Sequence, residues 1–215
     1  MERSNTLSTI CRKIGSDFLD LLFPRLCLCC KEMGADKWFC VACWDLLALP
    51  DPAHRCRHCF ALSERLLCSS CSRSPVLCFP RAVIFPHSLP AKILQKKMGE
   101  AKEALSAMAL IFWHRLAYDL PDAVWLVPDE RGIHPVAKLA REFANLLHLR
   151  CFSGIKKTYS GFLQPDLALV EKKIPTDQTL LLFDVASSLD WLKKASAVVS
   201  DAFPKKVFIL SLFEG

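Results

Sequence analysis

Eight cysteines arranged as four Cys-x-x-Cys pairs dominate the first third of the chain: Cys27/Cys30, Cys40/Cys43, Cys56/Cys59 and Cys68/Cys71. Two intervening residues let a tight turn present both sulfurs to one ion, and two such turns complete a tetrahedral shell at metal–sulfur distances of ~2.3 Å. Nine residues separate the first two pairs and eight the last two, so one knuckle-pair unit recurs about 29 residues later. A closed four-sulfur shell leaves no open position, so a metal held there is structural and not catalytic. Two zinc ions, one per repeat, are the expected load. Each would supply on the order of 10 kcal/mol to segments too short to bury a core of their own. Sequential pairing is preferred to a cross-brace because each repeat already contains four ligands. In the run Cys27-Leu28-Cys29-Cys30, Cys29 competes with Cys30, and Cys30 is favoured because its spacing matches the other knuckles. A single Cys-x-x-Cys could be a redox pair, but four in tandem point to metal. The neighbouring His54 and His58 read as solvated side chains and not as ligands.

The remaining cysteines, Cys11, Cys29, Cys78 and Cys151, are scattered. A secreted disulfide scaffold would spread cysteines through a short chain behind a signal peptide. The stretch 4–23 carries Arg12, Lys13, Asp17 and Asp20, which excludes an h-region or a membrane span there. The other apolar runs, such as 108–113, are too short to cross a bilayer. The expectation is a reduced, cytoplasmic protein with its thiolates held on metal. The formal charge of +6 is a weak pointer to anionic partners, because two four-thiolate zinc sites at about −2 each lower it to roughly +2. The 52% hydrophobic content calls for a well-filled core or a covered apolar face.

Three segments must position these groups. Residues 1–24 carry Leu7, Ile10, Cys11, Ile14, Phe18, Leu21 and Leu22 at helical spacing, so an amphipathic helix is expected, closed by Pro24. Residues 25–74 form the cysteine-rich module, and Pro75 and Pro80 mark a linker. Residues 81–215 alternate apolar runs with amphipathic stretches. Strands are expected over 82–85, 123–127, 180–185 and 207–213, and helices over 91–118 (broken near Gly99), from Pro135 onward, and over 187–202. Alternation of this kind predicts an α/β domain with a parallel sheet covered on both faces.

The order L-L-F-P-R-L-C-L-C-C, W-F-C-V-A-C-W-D-L-L, R-C-R-H-C and L-C-S-S-C resembles the N-terminal zinc region of the ComF family of bacterial competence proteins. Leu94-Gln95-Lys96, the strand end Trp125-Leu126-Val127-Pro128, Gln164, and the segment 180–188 follow in the family's order. The resemblance covers most of the chain and is specific in the zinc region. It implies a double zinc-ribbon module ahead of a domain similar to type I phosphoribosyltransferases. In those enzymes two adjacent acids bind the ribose hydroxyls of phosphoribosyl pyrophosphate, and a T-T-G turn offers N–H groups and hydroxyls to its 5′-phosphate. Here the turn reads Phe183-Asp184-Val185-Ala186-Ser187-Ser188-Leu189-Asp190. The resemblance therefore assigns Asp184, Ser187 and Ser188 to a degenerate phosphoribosyl site, with magnesium only if that ligand binds. Phe183 stands in place of the first acid, Leu189 in place of the glycine, and Asp190 adds a negative charge beside the anion position; the basic stretch after the V-P strand is reduced to Arg131-Gly132 followed by His134-Pro135.

The function these features imply is a ComF-like, non-catalytic or weakly active protein that handles incoming single-stranded DNA or docks on the uptake or recombination machinery. Arg55, Arg57, Trp38 and Trp44 in the zinc module, and Lys156, Lys157 and Tyr159 beyond it, are the candidate phosphate and base contacts. An active phosphoribosyltransferase and a zinc-dependent protein-interaction adaptor are the alternatives.

Overall fold

The computed structural model describes residues 26–33, 39–75, 77–130, 132–160, 164–170, 178–202 and 204–214. The expected N-terminal helix, Trp38 and Arg131 lie outside these residues. The chain divides into two compact units, Met1–Ala48 with Ser88–Ile93, and Leu49–His87 with Leu94–Gly215. Each cysteine quartet falls in a different unit. No helix among the described residues is long and apolar enough to cross a membrane.

In chain order the helices are α1 (Val41–Asp45), α2 (Ser69–Arg73), α3 (Leu89–Lys96), α4 (Met98–Arg115), α5 (Val136–Leu146) and α6 (Leu189–Ser200). The strands are β1 (Arg81–Phe85), β2 (Ala123–Leu126), β3 (Arg150–Phe152), β4 (Ile155–Ser160), β5 (Gln164–Leu169), β6 (Thr179–Asp184) and β7 (Lys206–Phe213). Five strands form one sheet in the order β1-β7-β6-β2-β3, and every pairing in it is parallel. The fold is thus α/β, as the alternation of apolar runs with amphipathic stretches requires.

Strand β2 and residues 180–183 of β6 are unbroken apolar runs and every residue of both strands is buried, the composition a parallel strand needs when both faces are covered. Side chains alternate across the sheet, so each strand feeds two cores. On one face Trp125, Leu180, Leu182, Val207 and Ile209 meet Trp191, Leu192, Ala195 and Val199 of α6. On the other, the Phe183 ring lies 5.3 Å from Phe143 of α5, and Phe208 lies 5.7 Å from Trp113 of α4. Phe183, which stands where the resemblance places an acid, is fully buried in this second core. It is a packing residue.

The helical break expected near Gly99 falls at Lys97 (φ −102°, ψ 12°), and Gly99 itself lies inside α4, since one glycine costs a helix only ~1 kcal/mol and does not end it. Two details depart from the sequence expectation. Strand β3 and the antiparallel hairpin β4–β5 were not expected, because β3 is only three residues and the hairpin is rich in polar residues. Pro165 in β5 pairs with Tyr159, which a two-stranded ribbon with free edges tolerates. Gly154, between β3 and β4, passes so close to the Trp125 ring that an added Cβ would lie 2.3 Å from it. Only glycine fits that approach.

Candidate metal centres and the loop at the carboxyl edge of the sheet

The two cysteine repeats fold alike. In each, the first knuckle is a small hairpin closed by an antiparallel bridge, Leu26 to Met33 in one and Arg55 to Leu62 in the other. Cys27 N donates to Glu32 O and Cys56 N to Ala61 O, both at 2.8 Å; Lys31 N donates to Cys27 O and Phe60 N to Cys56 O, both at 3.0 Å. The residue after the second cysteine takes the left-handed conformation in both copies, Lys31 at φ 65° and Phe60 at φ 66°. The second knuckle starts a one-turn helix: Cys40 and Cys68 stand at the N-cap positions of α1 and α2, and the Cys68 sulfur accepts from Cys71 N. The repeat legible in the spacing is therefore a repeat in hydrogen bonding as well.

These turns bring together Cys27, Cys30, Cys40 and Cys43 in one group and Cys56, Cys59, Cys68 and Cys71 in the other, with all sulfurs of a group within 4.8 Å of one another. A regular tetrahedron with metal–sulfur bonds of ~2.3 Å has sulfurs ~3.8 Å apart. The Cys30–Cys40 and Cys59–Cys68 sulfurs are 3.5 and 3.6 Å apart, so both quartets fit a tetrahedral ion. Each group could hold one metal ion. Pairing is sequential, with Cys30 and not Cys29 in the first group. Cys29 instead donates its backbone N–H to the Cys27 sulfur at 3.4 Å.

The free thiols of each quartet are graded. Burial pushes Cys27 up, but the N–H groups of Cys30, Cys40 and Cys29 outweigh it and bring the pKa down to about 6. Cys56 follows the same balance, with N–H groups of Cys59, Cys68 and His58 bringing it to about 6. Burial and the neighbouring thiols push Cys59 up to about 12, and raise Cys43 as well. Each quartet thus combines a thiol shifted down by N–H donors with one shifted up by burial and its neighbours, and Cys68 is lowered together with Cys56 in the second, since four adjacent thiolates repel one another. A metal entering the quartet neutralises that repulsion and displaces the remaining protons.

His54 is exposed, as expected, but His58 is not a freely solvated side chain. Its Nε2 lies 2.7 Å from the Leu77 carbonyl, and its own carbonyl accepts from Arg81 N at 2.7 Å. Phe60 packs edge-on against Phe112 of α4 at 5.6 Å, and the Tyr118 hydroxyl donates to Arg57 O at 3.4 Å. The second quartet is thereby stitched into the unit that carries the sheet. Arg81, which the sequence reading missed, is buried at the start of β1, where its Nε donates to Ser211 Oγ at 3.0 Å.

A second place of interest is the carboxyl edge of the sheet. Strand β2 is followed by α5 and then β3 on one side, and its neighbour β6 by α6 and then β7 on the other. Connections leaving adjacent strands in opposite directions open a crevice at their carboxyl ends, where ligands of open α/β sheets bind. The crevice loops are 127–135 and 184–188, so Asp184, Ser187 and Ser188 are brought together at this switch point. Their polar groups are already engaged by the protein. The buried Asp184 carboxylate accepts the Ser187 hydroxyl at 2.6 Å and its N–H at 3.3 Å. Ser188 is the N-cap of α6, its hydroxyl accepting from Trp191 N at 3.3 Å. The Ser188 N–H donates to the Glu130 carboxylate at 3.2 Å. A carboxylate of the chain itself thus occupies the helix N-terminus to which the resemblance assigns a phosphate. Glu130 was missed in the sequence; the acidic pair Asp129-Glu130 directly after the strand end was its only trace.

The remaining predicted contacts disperse. Lys156 and Lys157 sit at successive positions of β4 and point to opposite faces, with Lys157 donating to Glu130 O and lying 5.6 Å from the Trp191 ring. Tyr159 is exposed. Trp44 is half-buried and edge-on to Phe39 at 5.3 Å, so its ring is committed to the first unit's own packing. Asp190 is exposed in the first turn of α6 and pairs with Lys193 at 3.0 Å. No family model matches the chain, and no curated protein matches it. Fold and site together define an α/β protein with two four-cysteine groups, each of which could hold a metal ion.

Proposed function

We propose that the chain is a ComF-like protein that handles single-stranded DNA in the cytosol, with two structural zinc ions and a phosphoribosyltransferase-like domain that does not turn over phosphoribosyl pyrophosphate. The carrying observation for the non-catalytic reading is the Ser188 N–H bonded to Glu130 at the switch-point crevice. A phosphate would have to displace that carboxylate from a helix N-terminus, where negative charge is already stabilised. The Asp184 carboxylate is buried and holds the Ser187 hydroxyl and N–H, so it would also have to be uncovered before it met a ribose. Zinc is favoured because tetrahedral all-sulfur sites take zinc or iron–sulfur chemistry, and each quartet offers one closed tetrahedron sized for a single ion. Docking on the DNA-uptake or recombination machinery would follow from the same role.

The test has two arms on the metal-loaded protein, its metal identified by elemental analysis. Labelled single-stranded DNA is titrated at several salt concentrations by fluorescence anisotropy, and phosphoribosyl pyrophosphate with magnesium by calorimetry. Micromolar DNA binding that weakens steeply with salt, with no binding of the sugar phosphate at millimolar concentration, is expected. Phosphoribosyl pyrophosphate binding would return the domain to the enzyme reading. Absence of DNA binding at low salt would leave the adaptor reading.

A further inference from the structure

Beside the second quartet the protein has a cavity of about 290 Å³ lined by Arg55, Arg57, Arg115, Phe60, Leu66 and Tyr118, among others. Its size is at the lower end for small-ligand sites, ~300 Å³. Three arginines line it and no aspartate or glutamate does. None of the three arginines has an ion-pair partner among the described residues.

The fold brings these cations together from distant parts of the sequence. Arg55 and Arg57 flank Cys56 and are held by the knuckle: Arg55 sits in the bridge to Leu62, and Arg57 N donates to Leu66 O at 2.8 Å. Arg115 is the last residue of α4. The Tyr118 hydroxyl ties the segment after that helix to Arg57 O. Arg55 is further oriented by its Nη1 donating to Phe60 O at 3.4 Å, with its guanidinium 5.5 Å above the Phe60 ring.

A plainer role for the arginines would be to neutralise the thiolates of the adjoining quartet. Direct pairing is not what the bonds show for Cys56, whose sulfur accepts from the backbone N–H groups of His58 at 3.4 Å and Cys68 at 3.3 Å and not from a guanidinium. That leaves three arginines without an anionic partner around a concave, partly apolar site, the combination that suits a phosphate with an attached ring or sugar.

We propose that this cavity binds the phosphate group of a nucleotide, whether free or within a single strand. The second source rests on the DNA-handling reading above; the first does not. The Arg115→Gln variant is the primary test, since Arg115 is exposed at a helix end and away from the cysteine turns. Arg57→Gln is the second, with metal content measured for both. Thymidine monophosphate, thymidine and labelled oligothymidylate are each titrated into the metal-loaded full chain.

Thymidine monophosphate is expected to bind and thymidine not to, with each variant weakening the monophosphate about tenfold, as for loss of one charge-assisted hydrogen bond. For oligothymidylate, each variant should lower the salt slope by about 0.7, as for loss of one phosphate contact on a single strand. Failure of the monophosphate to bind, or equal binding by wild type and both variants, overturns the proposal. Oligothymidylate binding that is unchanged in both variants, with no monophosphate bound, sinks the cavity but leaves DNA handling standing. Monophosphate binding lost in the variants, with no binding of the oligonucleotide, supports the cavity and sinks DNA handling.

Discussion

Removing one thiolate from the second quartet should weaken the unit that contains the sheet. In Cys59→Ser the metal loses one of four ligands, and the segment 56–71 loses what holds its turns. The contacts at stake can be counted. Phe60 is 5% exposed, and releasing a buried phenylalanine costs ~2–3 kcal/mol. Its edge-on contact with Phe112 adds ~1 kcal/mol. The Arg81 N–H to His58 O and Tyr118 hydroxyl to Arg57 O bonds contribute ~1 kcal/mol each. About 5 kcal/mol is therefore at risk, against a typical domain stability of ~5–15 kcal/mol. Urea unfolding followed by tryptophan fluorescence should show the midpoint falling by about half for a domain of ~10 kcal/mol. Cys78→Ser is the control, because Cys78 is exposed, belongs to the same unit and lies outside both quartets. It should stay within ~0.5 kcal/mol of wild type. A Cys59→Ser midpoint equal to the control, with the metal of that site lost, would refute the idea that the knuckle braces the sheet.

Other perturbations act on single contacts. Gly154→Ala forces a methyl into the Trp125 ring and should destabilise by ~1–3 kcal/mol in thermal or urea unfolding; an unchanged midpoint would contradict the close approach. Ser188→Ala removes the cap of α6 and should cost ~1 kcal/mol, read by the same assay. Metal affinity should rise with pH: in the metal-free second quartet Cys59 keeps its proton up to about 12, and Cys56 gains one as pH falls through about 6. Protons therefore compete more strongly at pH 6 than at pH 8, and a chromophoric chelator should extract metal more readily at the lower pH. A flat profile would argue against thiolate ligation.

The parts of the molecule written in local pattern were legible without coordinates. Cys-x-x-Cys spacing determines which sulfurs can share an ion, because a two-residue turn leaves few geometries. The two similar repeats therefore pointed to the quartets that the fold assembles. Unbroken apolar runs such as 180–183 are too short for buried helices and suit buried strands between helical patterns, so the α/β class could be read as well. Tertiary structure decided what depends on partners distant in sequence. Glu130 reaches Ser188 because β2 and β6 are neighbours whose connections diverge, and nothing local to either residue encodes that adjacency. Phe183 is a packing residue because alternation turns it toward Phe143. Arg115 joins Arg55 and Arg57 only because a knuckle packs on the end of α4. Short-range geometry is carried by residue types a few positions apart, whereas the charge and closure of a site are set by loops that meet in space.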